Sequence, residues 1–335
     1  ASMISNAPVN AFSGSLLDDL IRYVQSGKNC TLLFVGDTAQ LPPVGLLDSP
    51  ALNPNYLENE FHLCVYPFEL TTVVRQSKDS GILYNATKIR EEITSAEEDQ
   101  DNFPFPKFIT KGFKDLYRMT GERLIEGINY AYDKYGLENT MIICRSNRSA
   151  NLYNQNIRNR ILFRDEELTG GDYIMVVKNN YFWLQENNLG DGFIANGDMA
   201  KVRKVSNIHD QHGFRFADVT LEFVDIDEIE PITCRVILDS LYTDSPNLPY
   251  ETQKALYEEI ALDYADIMDK KDRLEAIKKD PYYNALQIKF AFAITCHKAQ
   301  GGQWPIVFVD QGYLNDDMLD LEFLRWLYTG VTRAT

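Results

Sequence analysis

The sequence predicts an α/β protein built on parallel sheets with a small all-β insertion, and three observations carry that prediction. Short apolar runs end abruptly in polar residues: 30–35 runs into Gly36-Asp37, 140–144 into Arg145-Ser146-Asn147, and 290–295 is followed by Cys296-His297-Lys298. Continuous runs of this kind suit strands buried on both faces. Segments with apolar residues at helical spacing separate them, and that alternation indicates an open sheet with ligands collecting beyond the carboxyl ends of its strands. From about Asn196 the texture changes to short alternating segments, 199–205, 215–224 and 232–241, broken at 209–213. This predicts a small antiparallel barrel or sheet.

Taken in order, residues 16–25 (LLDDLIRYVQ) have helical spacing and Gly27 supplies the stop. The run 30–35 is the first predicted buried strand. Residues 91–106 are rich in carboxylates (Glu91, Glu92, Glu97, Glu98, Asp99, Asp101) and form the best candidate for a mobile surface segment. After the β region, residues 251–280 are charged, with Ile260, Tyr264, Ile267, Leu274 and Ile277 as an ordinary helical packing face. The α/β pattern resumes near Ala285. The expected domains are therefore 1–75, then 76–190 together with 285–335, with 191–284 inserted into the second.

The chain has 335 residues, 44% of them hydrophobic and 12% aromatic, which is ample for real cores and excludes general disorder. Five widely spaced cysteines suggest neither a disulfide framework nor a metal site, and a cytoplasmic home is expected. No apolar run reaches the roughly 20 residues that span a bilayer, so no membrane association is expected. With 33 basic and 49 acidic residues the net charge is −16, the opposite of a simple nucleic-acid binder. Between 140 and 164, however, lie Arg145, Arg148, Arg158, Arg160 and Arg164 without a carboxylate, so one basic surface on an acidic body is predicted.

The loop Gly36-Asp37-Thr38-Ala39-Gln40-Leu41-Pro42-Pro43-Val44-Gly45 leaves an apolar run and is stiffened by two prolines. It can aim Gln40 in one direction. A glutamine accepts from an attacking water and donates to a phosphate oxygen, which suits a nucleotide sensor; the competing interpretation is a plain turn. This block resembles motif III of superfamily 1 helicases. Val73-Val74-Arg75-Gln76 resembles motif IV, 294–301 (ITCHKAQG) motif V, and 328–334 (YTGVTRA) motif VI. Four matches in the family's order are far more specific than any one. The Gln-Leu-Pro-Pro-Val-Gly form of motif III is similar to the RecD and Dda branch, which includes the exonuclease V alpha subunit, and Asn196-Gly197-Asp198 resembles the start of that branch's SH3-like insertion.

The resemblance implies RecA-like parallel sheets of the P-loop NTPase type, with an SH3-like β insertion. It also implies ATP and Mg2+ as cofactors, single-stranded DNA as partner, 5′-to-3′ movement, and roles in DNA repair or recombination. Gln40, Arg75 and Arg333 are the implied catalytic residues, the two arginines reaching the γ-phosphate, for which a guanidinium's fixed charge and planar fork are suited. Gly36, Asp37, Gly301, Gly302 and Gln303 join them as nucleotide-binding residues, although many relatives have an acidic residue where this chain has Gln303. Asn147, Arg148, Thr295, His297 and Lys298 are the implied contacts to DNA. Motif V thus serves DNA with its front half and nucleotide with its glycine end. Tyr181, Phe182 and Trp183 can stack bases or anchor a core.

No Gly-x-x-x-x-Gly-Lys-Ser/Thr loop occurs in the sequence, and 1–4 (ASMI) resembles the residues directly after the acidic pair of motif II. The expectation is a C-terminal portion, starting just after that pair, stopping past motif VI, and inactive alone. The rival reading is a non-catalytic regulatory subunit that binds DNA or other helicase and nuclease subunits. A two-metal nuclease is disfavoured, because no acidic and lysine cluster with a strand context is present.

Overall fold

The structure, a computed structural model, describes all residues except 8–13, 73–78, 99–104, 106, 191 and 225–229. Arg75 and the whole block 73–76 that resembles motif IV therefore lie outside the described residues. In chain order the elements are α1 (Leu16–Ser26), α2 (Pro54–Phe61), α3 (Gly81–Glu98), α4 (Gly121–Tyr135), β1 (Thr140–Cys144) and α5 (Asn147–Asn156). Next come β2 (Tyr173–Val176), α6 (Trp183–Glu186), β3 (Met199–Gln211), β4 (Phe214–Phe223), β5 (Ile232–Ile237), α7 (Tyr250–Asp263) and α8 (Lys270–Lys278). The chain ends with β6 (Leu286–Phe290), β7 (Ala293–Thr295), α9 (Cys296–Ala299), β8 (Ile306–Val309) and α10 (Leu321–Val331). Two compact units result: Ala1–Thr120 with Ala299–Pro305 and Gln311–Thr335, and Gly121–Lys298 with Ile306–Asp310.

In the first unit, Ser15 caps α1 by accepting from the Asp18 backbone N–H, and Leu17 and Ile21 bury one stripe of the helix against Ala51 and Leu57. The run 30–35 is extended, but pairs with no strand among the described residues. Leu32 and Phe34 pack on that cluster, whereas Leu33 is 81% and Val35 70% exposed. The expected two-faced burial is corrected to one face. A run becomes a two-sided strand only where neighbours cover both sides, and apolarity alone does not supply them.

A second correction concerns 91–106. The described part of this stretch begins in α3, where Ile93 and Ala96 are buried and Glu97 accepts from Arg325. Glu91 and Glu97 are exposed on the same helix, so among the described residues acidity here accompanies an amphipathic helix.

The second unit contains a parallel sheet in the order β7-β1-β8 and a closed barrel of β2 to β6. The mixed α/β expectation with a small barrel therefore holds. All strand pairs of the barrel are antiparallel except β5 with β6. The barrel takes β2 and β6 from either side of 191–284. β3 and β4 meet at a two-residue turn whose His212 and Gly213 both have positive φ (52° and 74°), which matches the strands' twist. Consequently 209–211 continue the strand rather than break it. Ile142 and Cys144 share one buried cluster with Val202 and Leu221, and α7 and α8 pack Ile260 and Ile277 on Phe216. The charged segment is two helices, and Leu274 stays exposed.

The run 290–295 also divides. Phe290 ends the barrel strand and Ala293 begins the sheet strand. Buried Asn154 holds the changeover, donating to the carbonyls of Phe290 (3.0 Å) and Ala293 (2.9 Å) and accepting from the Ala293 N–H (2.8 Å). The expected basic surface is likewise reduced. Asp172 is 0% exposed and pairs with both Arg158 (3.1 Å) and Arg164 (2.7 Å), while Arg158 also lies over the Phe290 ring. Removing one partner of a buried pair strands the other charge, at a cost of about 3–5 kcal/mol. Asp172→Asn is expected to destabilise the unit by at least ~3 kcal/mol in urea unfolding, a size set by stranding Arg158. A loss under about 1 kcal/mol, the scale of an exposed pair, would contradict this assignment.

Candidate functional site

Residues three and four apart share a helix face, and α10 with the turn after it uses that spacing to grip the loop 36–48. The Tyr328 hydroxyl donates to Asp37 Oδ2 at 2.9 Å, and Arg90 reaches Asp37 Oδ1 at 2.7 Å. Burial, together with the Asp37 carboxylate, pushes the Tyr328 phenol up. Thr329 Oγ1 accepts from the Leu41 N–H at 2.9 Å, and Gln300 Nε2 donates to the Leu41 carbonyl at 2.8 Å. Buried Arg325 donates to Asp48 (2.8 Å), Glu97 (2.7 Å) and the Leu47 carbonyl. Parts of the segments resembling motifs III, V and VI thus meet at one residue, Leu41.

Gln40 lines a pocket with Ser2, Asp37, Thr38 and Asp48, and among the described residues no lysine or arginine lines it. A Cβ at Gly36 would meet Leu52 Cδ1 at 2.7 Å, so this glycine permits close packing of the loop. Arg333 is buried, donating to the carbonyls of Thr329 (3.1 Å) and Gly302 (3.4 Å) and to Thr332 Oγ1 (3.2 Å). Gly301 has φ +89°, which favours glycine, and Gly302 leaves room for the Trp304 ring. Gln303 is exposed. The structure therefore joins Arg333 to Gly302 and the Gln40 loop to Thr329.

In the second unit, Asn147, Thr295 and Lys298 line one pocket together with Asn151 and Lys289. Asn147 opens α5, whose cap Ser146 accepts from the Ser149 N–H; a helix amino end favours anions. Lys298 donates to Asn196 Oδ1, and burial holds its ammonium below the usual lysine range. His297 is half-buried on α9 and Arg148 exposed on α5; neither lines the pocket. Lys289 was not foreseen from sequence. It donates to the Thr243 carbonyl and Oγ1, and burial pushes its pKa down to about 8. The sequence offered no distinct signal, because Lys289 takes a polar position in LQIKF, which reads as an ordinary alternating strand. Of the three adjacent aromatics, Trp183 donates Nε1–H to the Asn284 carbonyl and packs on the core, while Tyr181 faces solvent.

Residues 290–335 match the UvrD-like helicase C-terminal domain. A protein of Acanthamoeba polyphaga mimivirus, Uncharacterized protein R530, is 22% identical over 370 residues, covering 96% of this chain and 71% of its own length. Among solved structures, Pif1 helicase from Bacteroides in complex with ADP-AlF3 and ssDNA aligns at a TM-score of 0.45 and 14% identity. It covers 99% of this chain and 67% of that one. Pif1 helicase from Candida albicans aligns at 0.42 and 12%, covering 89% and 60% respectively. The chain thus spans 60% to 67% of these two helicase structures. Among the described residues, no group of three or more His, Cys, Asp or Glu is placed to hold a metal, and no helix is long and apolar enough to cross a membrane.

Two measurements probe these contacts. Thr329→Val keeps the side-chain shape but leaves the buried Leu41 N–H unpaired, so a loss of about 1–3 kcal/mol in denaturant unfolding is expected, with Thr329→Ser close to wild type. Between pH 8 and about 10.5 the unfolded chain still holds the Lys289 proton that the folded chain has released, so this group makes stability rise with pH. Burial raises the thiols of Cys144 and Cys234, which act oppositely. The difference between wild type and Lys289→Met cancels them. It is expected to favour wild type increasingly across that window, and a flat difference would refute the shift.

Proposed function

We propose that the chain is the C-terminal part of an ATP-dependent DNA helicase or translocase of superfamily 1, in the RecD and Dda branch, moving 5′ to 3′ on single-stranded DNA. The observation carrying this reading lies within the matched segment 290–335. Its front, with Thr295 and Lys298, belongs to one compact unit and lines the pocket near α5, while Gln300 and Thr329 belong to the other and hold Leu41. The chain passes from one unit to the other between Lys298 and Ala299. A motor needs such a segment, one that answers to both DNA and nucleotide.

In this proposal the two units are parts of RecA-like domains, and the barrel with α7 and α8 is the SH3-like insertion. Asn147, Arg148, Thr295, His297 and Lys298 grip phosphates of the strand, which gives affinity without reading bases. Gln40, Arg75 and Arg333 act at the γ-phosphate, with Gly36, Asp37, Gly301, Gly302 and Gln303 beside the nucleotide. For Arg333 to do so, its bonds to Gly302 and Thr332 would exchange for phosphate oxygens. The described residues do not by themselves fit ATP and Mg2+. The charged side chains of the Gln40 pocket are Asp37 and Asp48, and the sequence contains no phosphate-cradling glycine loop. That loop and the magnesium carboxylates would have to be supplied from outside this sequence.

The 335-residue chain is accordingly expected to bind single-stranded oligonucleotides without hydrolysing ATP. Lys298→Ala should weaken binding in fluorescence anisotropy and reduce the log-affinity against log-salt slope by about 0.7, the value for one phosphate contact on a single strand. In a longer form with a Gly-x-x-x-x-Gly-Lys-Ser/Thr loop, single-stranded DNA should stimulate ATP turnover and Arg333→Ala should abolish that turnover. Turnover indifferent to both DNA and the mutation would reject the motor. DNA binding without any nucleotide dependence would favour a regulatory subunit instead.

A further inference from the structure

Tyr181 and Phe193 stack on one another in the second unit, with ring centroids 5.0 Å apart and planes inclined by 28°. Tyr181 is 61% exposed and Phe193 47%, so the pair contributes little to the core. Its backbone is nevertheless held firmly. Asn180 and Ile194 exchange reciprocal backbone hydrogen bonds of 2.9 and 2.8 Å, which makes Tyr181 and Phe193 the next residues across a short antiparallel bridge. Buried Asn180 accepts from the Phe182 and Trp183 N–H groups and donates to the Asn284 carbonyl. The result is a rigid support for an aromatic face turned toward water.

The same loop is tied to the cationic pocket. The Asn196 N–H donates to Asn179 Oδ1 at 2.7 Å, and Asn196 Oδ1 accepts from Lys298 Nζ. Asn196 follows Phe193 by three positions, a span of at most about 10 Å of chain. At roughly 3.4 Å per stacked nucleotide this corresponds to about three nucleotides. Single-strand grooves combine a cationic track for the backbone with aromatic faces for the bases, and both parts are present within that reach.

We propose that the stacked Tyr181 and Phe193 rings are a platform on which a base of single-stranded DNA stacks while the adjoining phosphates are held at Thr295 and Lys298. The proposal rests on the single-strand reading above and adds residues and a mode of contact that it does not contain. Every base has a π face, so the platform is indifferent to sequence.

The test compares the 335-residue wild-type chain with Tyr181→Ala, Phe193→Ala, the double variant and Tyr181→Trp. Each is titrated with a labelled oligothymidylate and with an abasic strand of equal length, which keeps the phosphates and lacks the bases. The side chains are exposed, so thermal unfolding should be close to wild type for every variant. The double variant is expected to lose about tenfold in affinity for oligothymidylate and nothing for the abasic strand, with Tyr181→Trp retaining wild-type affinity. Equal affinities of wild type and double variant for oligothymidylate, or equal losses on both strands, overturn the platform while leaving the single-strand reading intact. Absence of binding by wild type to either strand overturns both.

Discussion

The backbone of Leu41 is the point on which the first unit depends. Its N–H and carbonyl are taken by Thr329 and Gln300, two residues from the other end of the chain. A loop holding two adjacent prolines cannot satisfy its backbone groups by forming a regular element, because proline lacks the N–H that a ladder or helix turn needs. The side chains of α10 and of the turn before Gly301 supply what the loop lacks. Around that residue, Tyr328 and Arg90 fix Asp37, and Arg325 fixes Leu47 and Asp48. The chain on either side of Gln40 is thus held by residues 288 and 291 positions later in sequence.

The second unit depends on polar groups buried among apolar ones. Asn154 makes one continuous apolar run serve two sheets, because the carbonyls freed where the run leaves the barrel find its amide at once. Asp172 is a companion case: it neutralises two arginines and accepts from the Thr169 N–H, so the turn before β2 closes around it. Each is costly if left incomplete and specifies one arrangement when satisfied. Asn154 itself lines the pocket, and Asp172 comes three residues before the lining residue Met175, so the rigidity of the core extends to the residues that face the pocket.

Local patterning made much of this legible. The helix at 16–25, the strand at 140–144 and the change of texture near Asn196 follow from period and composition, and each appears in the structure. What failed were inferences that needed knowledge of neighbours. Burial of 30–35 depended on strands to either side, and the division of 290–295 depended on an asparagine 139 residues upstream of Ala293. The arginine-rich stretch looked like a surface because no carboxylate lies within 140–164; Asp172, eight residues past Arg164, folds back to it. At the candidate sites, resemblance named residues that do cluster, including Thr295 with Lys298 and Arg333 with Gly302. Lys289 and Phe193 carry no motif, and their surroundings exist only once the chain is folded.

The charge balance bears on how a strand could be held at all. Arg90, Arg158, Arg164 and Arg325 are engaged with carboxylates inside their own units, so pairing leaves the net charge at −16 and subtracts cations from the surface. A body of that sign repels a polyanion at long range, and ordinary salt confines the repulsion to about 10 Å. Within that distance, in the proposed single-strand reading, two partly desolvated lysines and the amino end of α5 would act on a strand with less competition from water. Few phosphates can be gripped under these conditions, so an uncharged contribution matters more here than on a basic protein. Stacking is such a contribution: it is indifferent to salt, to base identity and to the acidic surroundings, and an exposed pair of stacked aromatic rings supplies it without adding to the positive charge the rest of the molecule lacks.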